Sequence, residues 1–287
     1  MKHAYLIIAH NGFEVLKRLI NALDDERNDI YVHIDGKVKV LPQLHCEKSQ
    51  LYILDKRIDV RWGDISQIKS EYALWEEAYP HGPYSYYHLI SGTHLPLKSQ
   101  DVIHHYYDAK QGNSIISPMY TNEYEIDLKI RRYNLFTYTY NSSNKIIKTL
   151  SQFLWRVSGF VQKRLDIRRY KKEQFYKASN WVSLTHEAIG YMLSYKREII
   201  AKYKYSWCGD EFFVPSELSR SPLKDDIIYA DDILKVCFVG STPRILTDKD
   251  LEMLIQSDSL FARKFSEKNL SITEQLIHSI NECPPKI

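Results

Sequence analysis

The sequence predicts an α/β fold: one domain over residues 1–287, carrying a basic, partly helical insertion at 122–172. Three observations predict it. Through about residue 120, short apolar runs of strand type alternate with segments whose apolar residues recur at helical spacing. Between about 122 and 172 that alternation stops and the chain turns basic and aromatic. No internal repeat and no low-complexity linker divides the chain.

Taken in order, His3 to Ala9 (HAYLIIA) is almost continuously apolar and stops at His10-Asn11-Gly12, the pattern of a strand buried on both faces. Asn11 with Glu14 forms a capping-box pattern, followed by Phe13, Leu16, Leu19, Ile20 and Leu23 at helical spacing. Asp29 to Ile34 (DIYVHI) is a second strand, ending at Asp35-Gly36. Strand, helix, strand makes a βαβ unit, so a parallel sheet is expected with its ligand crevice at the carboxyl ends, where His10 and Asp35 fall. Further strands are expected at Leu51 to Leu54, Val60 to Gly63, Tyr84 to Ile90, Asn113 to Ser117, Ser179 to Leu184 and Ile227 to Asp232. Helices are expected after Asp64, which pairs with Gln67 as a cap, and after Ser99, Thr185, Thr247 with Asp250, and Ser271 with Glu274. Leu260 to Phe265 (LFARKF) reads as a short basic turn, and the tail at Pro284-Pro285 as frayed.

A length of 287 residues with 44% hydrophobic content is ample for a core that needs no disulfide or metal. The 22 Tyr and 5 Trp suit a cleft that stacks rings of bases or sugars, besides ordinary packing. The four cysteines, Cys46, Cys208, Cys237 and Cys283, include no C-x-x-C pair, which points to a reducing compartment rather than a zinc site or disulfide framework. The apolar run near the N-terminus is too short for a signal peptide or a membrane span. The overall charge of +3 hides an asymmetry, because residues 129–172 hold twelve Lys/Arg against one acid, Asp166. Within them Ile146, Leu150, Phe153, Leu154, Val157 and Val161 make a helical stripe beside Lys145, Lys148, Arg156, Lys163 and Arg164. Such a helix can lie on an anionic membrane, bind a polyanion, or pack as a lid with a solvated basic face.

The stretch Tyr205 to Phe213 (YSWCGDEFF) sets the acid pair Asp210-Glu211 among aromatic residues. A carboxylate desolvated by rings gains proton affinity, as a general base acting on a weak nucleophile requires. Gly209 followed by two acids is equally the start of a helix. There is no G-x-G-x-x-G and no Walker loop, so a glycine-rich phosphate cradle is not on offer.

Several stretches together are similar to one family: AYLIIAHNGFEVLKRLI with YVHID, RWGDISQIKSEY, YYHLISGTHLPLKS, ASNWVSLTHEAI, CGDEFF, and PRILTDKDLEML with SLFARKF. In their order and spacing the chain resembles the core-2/I-branching β1,6-N-acetylglucosaminyltransferases and the related peptide O-xylosyltransferases from end to end. The resemblance implies a GT-A-type, Rossmann-like glycosyltransferase fold and inverting transfer of a sugar, GlcNAc in the first instance, from a UDP-sugar co-substrate. It also implies that no metal or other cofactor is needed. Carried over, Glu211 matches the catalytic base; Ile8, His10 and Asp35 the uridine pocket, with Trp62 near the base; and Arg244 and Lys264 the cations that hold the diphosphate. Trp181, Arg132, Tyr229 and Asp231 are the acceptor-side candidates, Trp181 by stacking on a sugar or else as a core residue. The chain departs from the family at His94, where an acid is usual, and Pro215 should shorten or kink the helix after Glu211.

The expected partners are therefore a UDP-sugar donor, a glycan or lipid-linked glycan acceptor and an anionic membrane surface, with no nucleic acid. The expected setting is a bacterial-type enzyme of the cytoplasm, peripheral on the inner face of the plasma membrane. Two other readings stand beside this one. In the first, Asp231 and Asp232 hold a divalent metal in a metal-dependent transferase. In the second, the protein binds a polyanion through residues 129–172.

Overall fold

The apolar run at the N-terminus forms β1 (His3–Ala9), which lies at the centre of a seven-stranded sheet. Its neighbours are β2 (Asn28–Ile34) and β4 (Tyr86–Ser91), both parallel to it, and β3 (Gln50–Ile53) pairs parallel to β2. Beyond β4 come β7 (Ser183–Leu184), β6 (Ser114–Ile116) and β8 (Ile227–Tyr229). The sheet is mixed, because β7 runs antiparallel to both β4 and β6. The computed structural model describes residues 2–110, 112–240 and 242–282, so the Pro284-Pro285 tail and Cys283 lie outside the described residues.

Alternation along β1 sends Ala4 and Leu6 into one layer and Tyr5, Ile7 and Ala9 into the other. The first layer is covered by α2 (Ser66–Ala78), α6 (His186–Ser194), α7 (Lys196–Tyr203) and α8 (Phe213–Leu218), with Tyr72, Trp75 and Phe213 packed together. The second is covered by α1 (Phe13–Leu23), α3 (Gln100–Asp108), α9 (Leu251–Ile255) and α10 (Ser271–Glu282). With apolar side chains on both faces, the sheet is the middle layer of three. This is the Rossmann-like, GT-A-type α/β architecture expected from the sequence. A small second sheet sets β12 (Phe261–Arg263) between β5 (Leu95–Pro96) and β9 (Leu234–Val236), and β10 (Phe238–Val239) pairs with β11 (Thr242–Pro243). Residues 122–172 hold α4 (Glu123–Ile126), a π-type turn at Asp127–Arg131, and the 20-residue α5 (Lys145–Arg164), capped by Asn144.

Several local expectations are corrected. The first residue before α1 is Gly12 in the left-handed region, and Asn11 makes no side-chain cap; instead the backbone N–H of Glu14 donates to Glu267 Oε1 at 2.9 Å. A distant carboxylate thus replaces the local box. Val60 to Gly63 forms no strand. Gly63 has φ +78°, and a Cβ there would lie 2.3 Å from the Trp207 indole nitrogen, so this segment is bent to seat an aromatic ring. Conversely, Phe261–Arg263 inside LFARKF is a strand, not a turn. Ser179 to Leu184 yields only the two residues of β7, while Ser99 and Thr185 cap α3 and α6 as expected. Only the six residues of α8 follow the acid pair, with Pro215 among them.

Candidate functional site

The carboxyl ends of β1, β2 and β4 open onto a cleft of ≈ 400 Å³. β1 delivers Ile8 and His10 to it, the turn after β2 delivers Asp35 and Lys37, and Ser91, Gly92 and Thr93 follow β4. Gly92 is needed for the close approach of these strand ends: its N–H donates to Ile8 O at 2.9 Å, and a Cβ would stand 3.0 Å from that of Ala9. The start of α2 adds Gln67, Ser70 and Glu71; Trp62 and Trp181 come from loops, and Arg263 and Lys264 from the end of β12. Five of the six sequence-predicted donor residues (Ile8, His10, Asp35, Trp62 and Lys264) therefore share one cleft, together with Trp181.

The Asp35 carboxylate is buried and accepts from Lys37, from the backbone N–H at 2.8 Å and from Nζ at 2.7 Å. Lys37 also reaches Asp59 at 2.9 Å, so the turn after β2 is stiffened by charge. His10 faces the cleft, yet the protein around it desolvates its imidazole enough to lower its pKa, with Asp35 opposing. Trp62 is 59% exposed and rests edge-on against Trp207, 6.0 Å between ring centres. Trp181 is clamped between the edge of His94 at 4.9 Å and the Arg263 guanidinium at 4.8 Å. His94, where an acid was expected, is buried; its Nδ1 lies 2.7 Å from Ser91 Oγ, and burial together with the Arg263 charge keeps it well below the usual histidine range. Arg263 is itself sunk in protein, its Nε has no partner, and burial pushes its guanidinium down to about 10.

The acid pair behaves differently from its sequence reading. Gly209–Glu211 is a single 3-10 turn, and it is Asp210, not Glu211, that is fully enclosed. Burial, helped by the Glu211 charge, pushes the Asp210 carboxyl up to about 7. Its Oδ2 accepts from Gln67 Nε2 at 2.7 Å, and Gln67 lines the cleft. Nearby, Glu71 is buried in the cleft wall with Oε2 unpartnered, and burial followed by the Asp210 charge drives it well above the carboxylate range. Two enclosed acids thus back the cleft with their ionisation opposed by burial, Glu71 the more strongly and Asp210 only in part near neutral pH. Glu211 instead points into a charged cluster: Lys129 Nζ lies 3.0 Å and Lys177 Nζ 3.5 Å from its carboxylate, and both lysines also bind Glu125. Although burial opposes its charge, Lys129 is held above the usual lysine range by these carboxylates, Glu211 first.

The remaining candidates lie elsewhere. Arg244 is a bidentate partner of Asp250, with Nη1 to Oδ2 at 2.8 Å, and is not among the cleft-lining residues; its segment joins the cleft where Leu246 N–H donates to Lys264 O at 2.9 Å. Arg132 is buried, with Nε 3.0 Å from Asp127 Oδ2, and lines a second cavity of ≈ 580 Å³ beside α5. Tyr229 and Asp231 are exposed, and Asp232 accepts from the Tyr106 hydroxyl at 2.9 Å. Among the described residues, no group of three His, Cys, Asp or Glu side chains is placed to hold a metal ion. Sequence reasoning missed Lys37, Gln67, Glu71, Asn180 and Arg263 as cleft residues. A signal for Arg263 was present, since it directly precedes Lys264 in an otherwise apolar run.

The profile of the core-2/I-branching enzyme family matches residues 3–233. No curated protein matches the chain. Among solved structures, mouse xyloside xylosyltransferase 1 in its apo form is similar over 91% of this chain and 96% of that one, at 8% sequence identity and a TM-score of 0.39.

Proposed function

As a member of the core-2/I-branching enzyme family this chain is a glycosyltransferase, and we propose that it moves a sugar, GlcNAc in the first instance, from a UDP-sugar to a glycan hydroxyl, with inversion and without a metal ion. The observation that carries this reading is the cleft at the strand ends, which combines an exposed indole, a buried carboxylate and three cations, Lys37, Arg263 and Lys264, in one volume. Asp35 and His10 meet the uridine, Trp62 covers the base, and Lys264 with Arg263 faces the diphosphate. Two cations fixed by the fold supply the electrostatic stabilisation of the departing UDP that a divalent ion supplies elsewhere. Arg244 joins them by exchanging or sharing Asp250.

In the transfer step the acceptor hydroxyl attacks the anomeric carbon from the face opposite UDP, and the bond from that carbon to the diphosphate oxygen breaks with its electron pair leaving on UDP. Glu211 takes the hydroxyl proton. Its turn is tied to the cleft through Asp210 and Gln67, which supports this role, and Lys129 and Lys177 orient its carboxylate. Burial disfavours the charged forms of Glu71 and Asp210 and so reduces the negative charge behind the diphosphate. Trp181 faces the transferred sugar or its acceptor. The acceptor is a glycan carried on a lipid, reached from the cytoplasmic side; the free thiols of Cys46, Cys208 and Cys237 suit a reducing compartment. The test is Glu211→Gln. Transfer should fall by at least ~100-fold while UDP affinity stays within about twofold of wild type, the pattern of a lost base. Wild-type turnover by this variant, or transfer with retention, removes the proposed mechanism.

A further inference from the structure

Helix α5 is amphipathic with its apolar side turned outward. Ser151 and Gln162 are the buried residues of the helix; Ser151 Oγ donates to Thr139 Oγ1 at 2.7 Å, and Gln162 exchanges hydrogen bonds with the Tyr133 backbone at 2.7 and 2.9 Å. Trp155, on the same side, packs on Trp207 with ring centres 4.5 Å apart and donates to Asn134 Oδ1 at 3.0 Å. The opposite side carries Ile146, Leu150, Phe153, Val157 and Phe160, spaced so that they form one stripe from the first turn of the helix to Phe160. They stand in solvent: Ile146 is 79%, Phe153 60% and Phe160 70% exposed. A continuous exposed stripe of large apolar residues marks an interaction surface, whereas scattered single ones do not.

Charge identifies the partner. The helix holds Lys145, Lys148, Arg156, Lys163 and Arg164 and no acid, and helical geometry sets Lys145, Arg156 and Lys163 along one edge of the stripe. Arg156, Phe160 and Lys163 also line the cavity of ≈ 580 Å³, together with Arg131, Arg132 and Arg168 and the acids Glu123 and Asp127 that pair with those three arginines. Arg132 is buried, and its Nη1 finds no partner although Asp127 holds the rest of the guanidinium. A cavity whose five cations outnumber its two acids, with an unpartnered N–H and next to an apolar stripe, fits a surface that presents phosphates and acyl chains together. A second copy of this helix would bring cationic edges against each other with no acid to offset them.

We propose that α5 is the docking element for an anionic lipid bilayer: its apolar stripe enters the acyl boundary, its basic edge meets the headgroup phosphates, and the arginine-lined cavity takes one of them. The arrangement also ties docking to the cleft. Trp155, on the packed side of α5, touches Trp207, which touches Trp62 in the cleft, so a chain of aromatic contacts links the docking helix to the donor site. The inference stands on exposure and charge alone and is independent of which sugar is transferred.

The experiment is co-sedimentation of the full chain with vesicles of phosphatidylcholine, alone or mixed with phosphatidylglycerol, at low and high salt. The protein should pellet with the mixed vesicles only, and raising salt to about 0.5 M should weaken this by at least ~10-fold, since exposed charges are then screened. Two paired variants, Phe153→Ser with Phe160→Ser and Lys145→Glu with Lys163→Glu, should each lower partitioning by at least ~10-fold while thermal unfolding and UDP affinity stay as in wild type. No pelleting at low salt overturns the proposal, as does wild-type pelleting by both pairs. Concentration-dependent dimerisation that the serine pair abolishes, without vesicle binding, assigns the stripe to a second copy and overturns it too.

Discussion

Replacing Asp210 by Asn should stabilise the protein increasingly as pH rises. The folded protein raises this carboxyl from 3.8 to about 7, chiefly by burial. A carboxyl raised on folding stays protonated in the native state after the unfolded chain has released its proton. The contribution is therefore fully present below about pH 4 and is lost as pH rises to about 7. At roughly 1.36 kcal/mol per pH unit of displacement, ionising Asp210 costs at most about 4 kcal/mol above pH 7, part of that figure coming from repulsion by the Glu211 charge. Asn keeps an acceptor for Gln67 and removes the proton release. Other groups titrate in the same window with the opposite sign, so the informative quantity is the difference between variant and wild type. His3, for example, is depressed to about 3 by burial, which favours the folded protein above pH 6.5 and is lost on acidification. Urea unfolding at steps from pH 4.5 to 8.5 should show the Asn variant gaining between about 1 and 4 kcal/mol on wild type across the series. A gain that stays within about 0.5 kcal/mol from one end to the other, near the limit of the method, would refute the placement of Asp210 as a buried acid.

Three further outcomes are expected. Gly63→Ala forces a side chain into the left-handed region and into the Trp207 ring, so it should cost at least about 2 kcal/mol of stability; an unchanged midpoint in urea would contradict the packing. Arg263→Met removes a partly buried cation whose enclosed Nε has no partner, so the unliganded protein should unfold no earlier than wild type while UDP affinity falls by about tenfold or more. Thermal scans with and without UDP separate the two effects, and equal UDP stabilisation of both proteins would remove Arg263 from the diphosphate site. Acidification from pH 6.5 towards 4 should unfold the wild type progressively, because His3, His88 and His104 pack together buried and all are held below the usual range by burial; circular dichroism showing full stability at pH 4 would argue against that cluster.

The parts of the fold set by long local patterns were legible in the sequence. β1 is an almost continuous apolar run, β2 a short run of strand-forming residues, and Ser99, Thr185 and the Thr247-Asp250 box cap as written. What escaped was decided by residues far apart in the chain. Val60-Arg61-Trp62 has strand composition, but Trp207 occupies the space that forces Gly63 into a turn. The three-residue β12 is a strand only because β5 and β9 flank it. In the cleft, polar residues at strand ends were readable because the βαβ rule places ligands there. Glu71 was not, since an acid inside a helix looks solvated until Asp210 and the core close around it. Arg244 was legible as a cation but not as the partner of Asp250, six residues on. The outward face of α5 was legible as amphipathic, yet nothing in its periodicity says that the polar side is the one that packs.

Calorimetric titration of UDP and a panel of UDP-sugars into the protein, with EDTA present throughout, bears most directly on what the cleft is for. Wild type and Glu211→Gln should bind UDP and at least one UDP-sugar alike, and Lys264→Ala should weaken both by about tenfold or more, the loss of one charge contact to a diphosphate. Absence of binding to UDP and to every UDP-sugar, or binding that appears only when a divalent metal is restored, would contradict a metal-independent UDP-sugar site.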